Sequence, residues 1–113
     1  MDIKTLETEA HFDEALAASG ERPVLLFKHS LTCPISANAY KEVRRFVEGD
    51  GAEADVRMIV VQDARPVAER AADVLGIRHE SPQAIVVRDG KPVWDASHFK
   101  ITSKALAQAL EAA

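Results

Sequence analysis

Phe27-Lys28-His29-Ser30-Leu31-Thr32-Cys33-Pro34-Ile35-Ser36 is the stretch on which the reading of this chain turns. Upstream of it, Pro23 opens a continuous apolar run, Val24-Leu25-Leu26-Phe27, the pattern of a central strand covered on both faces. Downstream, Ile35, Ala39, Val43, Phe46 and Val47 recur at helical spacing until Gly49-Asp50-Gly51, which ends the pattern. Pro34 therefore falls at or beside the first helical position, where its missing N–H costs nothing and its fixed φ suits the helix. Cys33 is thereby expected at the helix N-cap, in a turn between a buried strand and a helix.

Working outward, the same alternation of elements continues in both directions. A first helix is expected from Thr8 as N-cap, with Phe12, Ala15 and Leu16 on one face and Gly20 as the stop. Val56 to Val61 reads as a second buried strand, and a strand that follows a crossover helix implies a parallel βαβ unit. Asp63 is the expected cap of the next helix, in which Val67, Ala71, Val74 and Leu75 face the sheet until Gly76. Ala84 to Val87 and Val93 to Asp95 flank Asp89-Gly90, a strong hairpin signal, so these two strands are expected to be antiparallel. Thr102 caps a last helix, with Ile101 packing on Leu106 and Leu110 continuing that face. A short extended lead followed by α, β, α, β, α, β, β, α gives an α/β, thioredoxin-like fold: a central mixed sheet of four to five strands flanked by helices.

The 113 residues, 47% apolar and 28% charged, suit one soluble domain over 1–113. Fourteen Lys and Arg against 18 Asp and Glu give a net charge of −4, without the basic field that nucleic acid requires. No run approaches the about 18 consecutive apolar residues of a membrane span. Charges from Asp2 onward interrupt any apolar core of signal-peptide length, so a cytoplasmic protein is expected.

The single cysteine excludes an internal disulfide and a zinc site built mainly on cysteines. It is either inert packing or a reactive group. A packing cysteine belongs on an apolar face within an element, whereas Cys33 follows the polar turn Ser30-Leu31-Thr32 and precedes a proline. Unpaired N–H groups and the positive end of a helix dipole favour the thiolate there. Cys33-Pro34-Ile35-Ser36 has the spacing of Cys-x-x-Cys with serine in the resolving position. Serine can hydrogen-bond a thiolate but cannot form a disulfide, so the chemistry must pass through an intermolecular mixed disulfide. Ser81-Pro82 directly precedes the strand at Ala84. In a thioredoxin fold that loop faces the cysteine, and a cis proline there leaves backbone groups free to pair with a substrate; a trans, strand-opening proline is the alternative. His29, His79 and His98 are expected at the same end of the sheet, while His11 lies on the first helix. Their spacing forms no metal-ligand pattern, and they can instead bond loop backbone or stabilise the thiolate. Trp94 reads as half-buried packing.

Phe27-Lys28-His29-Ser30, Thr32-Cys33-Pro34-Ile35-Ser36, Val74-Leu75-Gly76-Ile77-Arg78-His79-Glu80-Ser81-Pro82-Gln83 and Trp94-Asp95-Ala96-Ser97-His98 together resemble the monothiol bacilliredoxin (YtxJ) family over nearly the whole chain. The resemblance implies a thioredoxin-like fold and removal of bacillithiol, or a similar low-molecular-weight thiol, from protein mixed disulfides. Cys33 would be the nucleophile and Ser81-Pro82 the cis-proline loop. The residues expected to carry the chemistry are Cys33 and Ser36, with Thr32, Pro34, Ser81, Pro82, His29, Ser97 and His98 at the substrate. No metal and no tightly bound cofactor are expected, bacillithiol being an exchanging co-substrate. Bacillithiolated proteins, the free small thiol and a redoxin reductase are the expected partners. The chain differs from the glutathione-dependent monothiol glutaredoxins, which have glycine where Pro34 stands and a Gly-Gly pair before the last helix; both differences weigh against glutathione use and cluster carriage. Two other readings stand beside the enzyme. One is an iron-sulfur protein in which Cys33 and an exogenous thiol from each of two subunits hold a [2Fe–2S] cluster. The other is an adaptor whose active site is spent.

Overall fold

The computed structural model describes residues 3–113; Met1 and Asp2, the first residues of the segment read for a targeting signal, lie outside them. The elements are β1 (Lys4–Thr5), α1 (Glu9–Ala18), β2 (Val24–His29), α2 (Pro34–Glu48), β3 (Asp55–Val60), α3 (Arg65–Leu75), β4 (Gln83–Arg88), β5 (Lys91–Ser97), a 3₁₀ turn (His98–Lys100) and α4 (Ser103–Ala112). The strands form one sheet in the order β1-β3-β2-β4-β5. β2 runs parallel to β3 and antiparallel to β4, and β5 is antiparallel to β4. The expected mixed sheet, with a parallel βαβ half and an antiparallel hairpin half, is the sheet observed. No helix of the described residues is long and apolar enough to cross a membrane.

Side chains alternate between the two faces of a strand, and β2 feeds two separate cores. Val24 and Leu26 pack with Phe12 and Ala15 of α1 and with Val67, Ala68 and Ala71 of α3. Leu25 and Phe27 pack on the other face with Val43, Phe46 and Val47 of α2 and Leu106 of α4. All four of these β2 residues are essentially inaccessible, which explains why the run is continuously apolar. Ile101 and Leu106 share the second core, as the sequence pattern requires, and Trp94 packs against it half-buried.

Several boundaries differ from the sequence expectation. α1 ends at Ala18, with Ser19 as its C-cap in place of Gly20. Ser19 is completely buried. Its Oγ accepts the Gly90 N–H at 2.8 Å and its carbonyl accepts the Asp89 N–H at 2.8 Å, so the helix end is latched to the hairpin turn. That turn holds Asp89 at φ 55° and Gly90 at φ 74°, the two positive values a type I′ hairpin needs. Asp63 does not cap α3. The chain instead turns back on Val60, whose carbonyl accepts both the Asp63 and the Ala64 N–H, and Ala64 becomes the N-cap. Pro66, in the first turn, fixes the helical path from there. β4 and β5 outrun the expected strands, and β5 contains Pro92 beside a register shift at Val86/Val87. An edge strand tolerates a proline at such an irregularity.

Candidate active site

β2 ends at His29 and α2 begins at Pro34, its first residue, with Cys33 as the N-cap in extended conformation (φ −104°, ψ 121°). Cys33 is partly accessible and makes no side-chain capping bond. Its carbonyl accepts the Ala37 N–H at 3.0 Å. The thiol therefore stands at the start of a 15-residue helix, where unpaired N–H groups favour an anion.

The turn that carries Cys33 is braced by two side chains. Ser36, in the first turn of α2, is fully buried; its Oγ accepts the Ser30 N–H at 2.9 Å and lies 2.9 Å from His29 Nδ1. A serine here can hydrogen-bond a thiolate, but the Ser36 hydroxyl is turned back onto the end of β2 and engaged by Ser30 and His29. The second brace is Gln62, just past β3. Its Oε1 accepts the Leu31 N–H at 3.1 Å, and its Nε2 donates to Ser30 Oγ at 2.8 Å and more weakly to Thr32 Oγ1 at 3.4 Å. Residues 30–32 are thus held from both sides, while Leu31 and Thr32 themselves face solvent.

His29 lies on the α2 face, stacked on Phe27 at a ring separation of 5.6 Å and against Tyr40 at 5.2 Å. Burial lowers its pKa from the ordinary histidine value, with the contact to Ser36 acting weakly the other way. Lys28 points to the opposite face. It is fully buried, and its Nζ lies 3.2 Å from His79 Nδ1. Desolvation pushes Lys28 down to about 8. His79 is also lowered, first by burial and then by the Lys28 charge.

Across the sheet, Gln83 pairs with Lys28 on one side and with Ser97 on the other. The register therefore brings the end of β2, the Ser81-Pro82 loop and the end of β5 to one edge of the sheet, at the end where α2 starts. The Ser81–Pro82 peptide bond is cis, as expected. The Pro82 carbonyl accepts the His98 N–H at 3.2 Å, and Ser81 Oγ is buried with no partner among the described residues. Ser97 closes β5, and His98 begins the 3₁₀ turn at φ 55°. Leu31 (60% exposed) and Phe99 (69% exposed) leave two apolar side chains in water on the segments carrying Cys33 and His98.

Sequence reasoning missed Gln62 and the buried Lys28. Gln62 sits directly after a buried strand, at the sheet end where parallel α/β folds gather their functional groups, and that position was its only signal. Lys28 follows Val24 and Leu26 at a spacing of two, so period-two alternation assigns it to an interior face. Its charge masked this.

Residues 4–106 match the family model described as monothiol bacilliredoxin BrxC. The chain belongs to the monothiol bacilliredoxin family. This bacilliredoxin is similar to a solved structure described as a candidate oxidoreductase with a thioredoxin fold, at 34% identity and a TM-score of 0.83, over 95% of this chain and 92% of that one. It also matches Fasciola hepatica thioredoxin (15% identity, TM-score 0.77, 97% and 98% covered). Trypanosoma brucei brucei thioredoxin is similar too (12%, 0.77, 98% and 89%). At such identities these two likenesses speak for the fold alone. The bacilliredoxin thus has the thioredoxin fold, and family and fold together support a thiol oxidoreductase in general terms.

Two expectations follow from the braces. Gln62→Ala removes the acceptor of the Leu31 N–H, an interaction worth about 1 kcal/mol. Hydrogen exchange at the Leu31 amide should rise by roughly five- to tenfold while core amides such as Val86 hold; an unchanged Leu31 rate would remove Gln62 from the brace. Lys28, lowered in the folded state, is a cost to stability wherever both states carry the charge. Between about pH 8 and the ordinary lysine range the unfolded chain binds more protons, so this cost fades as pH rises. Lys28→Met should accordingly be more stable than the parent at pH 7, with the advantage shrinking toward pH 10 in urea titrations. An advantage independent of pH would contradict the assignment.

Proposed function

We propose that this bacilliredoxin is a monothiol disulfide oxidoreductase that removes bacillithiol from protein mixed disulfides through Cys33. The observation that carries the reading is the position of the chain's one cysteine: partly accessible, at the N-cap of α2, with Ser36 engaged elsewhere. Such a thiol has a nucleophile's setting and no internal exit.

In the first step the Cys33 thiolate attacks the bacillithiol sulfur of the mixed disulfide. A new S–S bond forms between Cys33 and bacillithiol, the old one breaks, and the electron pair leaves with the protein sulfur, which takes a proton from solvent. The protein thiol is reduced and Cys33 is oxidised to a mixed disulfide. In the second step a free bacillithiol thiolate attacks the bacillithiol sulfur on Cys33, releasing bacillithiol disulfide and returning the Cys33 thiolate. A redoxin reductase could serve as the second thiol donor. Bacillithiol is a co-substrate in this cycle, and no tightly held cofactor is invoked.

The roles we assign follow the geometry. Cys33 is the nucleophile, Pro34 fixes the helix start, and Ser36 with Gln62 positions the turn. The cis Ser81–Pro82 loop is the proposed docking edge, with Thr32, His29, Ser97 and His98 around it. The proposed setting is the cytoplasm, whose reducing thiol pool keeps a lone cysteine free.

Intact-mass measurement after mixing the protein with a bacillithiolated peptide tests the reading. One bacillithiol adduct should appear, located at Cys33 by peptide mapping, and Cys33→Ala should lose de-thiolation by at least about 100-fold. No adduct, together with full activity of Cys33→Ala, would overturn it.

A further inference from the structure

An exposed stripe of α2 leads away from Cys33. The Ala37 N–H donates to the Cys33 carbonyl at 3.0 Å, so Ala37 lies one turn beyond the thiol, and its small side chain faces solvent. Lys41, Arg44 and Glu48 continue that helix face at i+4, i+7 and i+11 from Ala37. Tyr40, Lys41, Arg44, Arg45, Glu48 and Gly49 line an open groove there, of about 380 Å³. Its end nearer Cys33 is walled by Tyr40, whose ring stands 5.2 Å from that of His29. His29 Nδ1 in turn lies 2.9 Å from Ser36 Oγ. The groove is therefore continuous with the braced turn that carries the thiol.

Its charge runs against that of the whole chain. Three cations line it with one carboxylate, whereas the net charge of the protein is −4. Glu48 meets Arg44 at 2.8 Å, with both side chains well exposed. Glu42 stands 3.7 Å from Arg45 and also accepts the Ser103 N–H, which ties it to the start of α4. Lys41 has no ion pair among the described residues. Exposed pairs such as Arg44–Glu48 are weak, so an incoming carboxylate can share the guanidinium at little cost. An anionic occupant uses all three cations, and the Tyr40 ring gives it a rigid wall to pack on.

We propose that this groove docks an acidic segment of the protein half of the mixed disulfide, so that substrates with carboxylates a few residues from the modified cysteine are preferred. The inference rests on the disulfide-exchange reading above and deepens it by naming the chemistry of the protein substrate. A helical rise of 1.5 Å per residue puts Tyr40 to Arg44 roughly 10–16 Å along the axis from Cys33. Extended chain covers that distance in about three to five residues. The contacts lie away from the reacting sulfurs, so they act in binding and the preference falls in KM.

The test uses two bacillithiolated peptides that differ only in carrying Glu or Gln at about the third to fifth positions on either side of the modified cysteine. The parent protein should favour the Glu peptide in kcat/KM by about fivefold or more at low ionic strength, through KM. That ratio should fall toward one in about 0.5 M salt, where exposed charges are screened. The double substitution Lys41→Gln, Arg44→Gln should also bring it close to one, by raising KM for the Glu peptide. Lys91→Gln, at the start of β5, changes the net charge away from the groove and should leave the ratio standing. A ratio near one in the parent, an unchanged ratio in the double variant, or an equal loss in Lys91→Gln would overturn the proposal. Titration of the ¹⁵N-labelled protein with a cysteine-free Glu peptide reads the groove without chemistry: the Lys41 and Arg44 amides should shift while Val86 holds. Absence of those shifts would overturn the docking, and the same amides shifting with protein concentration alone would assign the groove to a second copy of the chain and overturn it too. Turnover of neither peptide, with the amide shifts present, would overturn the exchange reaction and leave the groove as an acidic-peptide site.

Discussion

The functional end of this molecule depends on the constraint that Pro34 imposes where β2 gives way to α2. Proline has no N–H to donate and a fixed φ, so the helix can begin there but cannot extend backward. Cys33 is thereby held outside the helix, in extended conformation, at the point where the helix's unpaired N–H groups face outward. A residue one position later would be inside the first turn. One position earlier, it would lie in the braced loop.

Around that point the sheet works as a spacer with different functions on its two faces. Strand alternation in β2 sends His29 toward α2, where it joins Ser36 and the Phe27 and Tyr40 rings. The same alternation sends Lys28 to the other face, where it reaches the loop before β4. Consecutive residues of one strand thus support the two loops on which the proposed chemistry relies, the cysteine turn and the cis-proline loop. Both loops are short of backbone partners, and in both cases buried or braced side chains take up the groups that secondary structure leaves over.

Much of this was legible in the sequence, for physical reasons. The continuous apolar run of β2 read as a strand buried on both faces, Asp89-Gly90 as a hairpin turn, and Pro34 as a residue at or beside the first position of a helix. The order of elements put the Ser81–Pro82 loop opposite Cys33, and only that conjunction favoured the cis bond over a trans, strand-opening proline. What escaped was side-chain direction. Sequence spacing put Ser36 in the turn where a hydroxyl can reach the Cys33 sulfur, but spacing does not say which of several neighbours captures that hydroxyl. Gln62 lies 30 or more residues from the loop it braces, and Ser19 lies 71 residues from Gly90 of the hairpin it latches. Asp63 looked like a cap, yet the Val60 carbonyl gathered the turn one residue further on. These are tertiary choices among locally equivalent options.

The central claim is that Cys33 takes up the small thiol and leaves the protein partner free. Rapid-quench mass spectrometry of a single turnover, with the bacillithiol and the peptide halves of the substrate carrying different isotopes, reads this directly. The account predicts that the bacillithiol label appears on Cys33 at the same rate as the free peptide thiol is released. Appearance of the peptide label on Cys33, or peptide release faster than any label reaches Cys33, would contradict it.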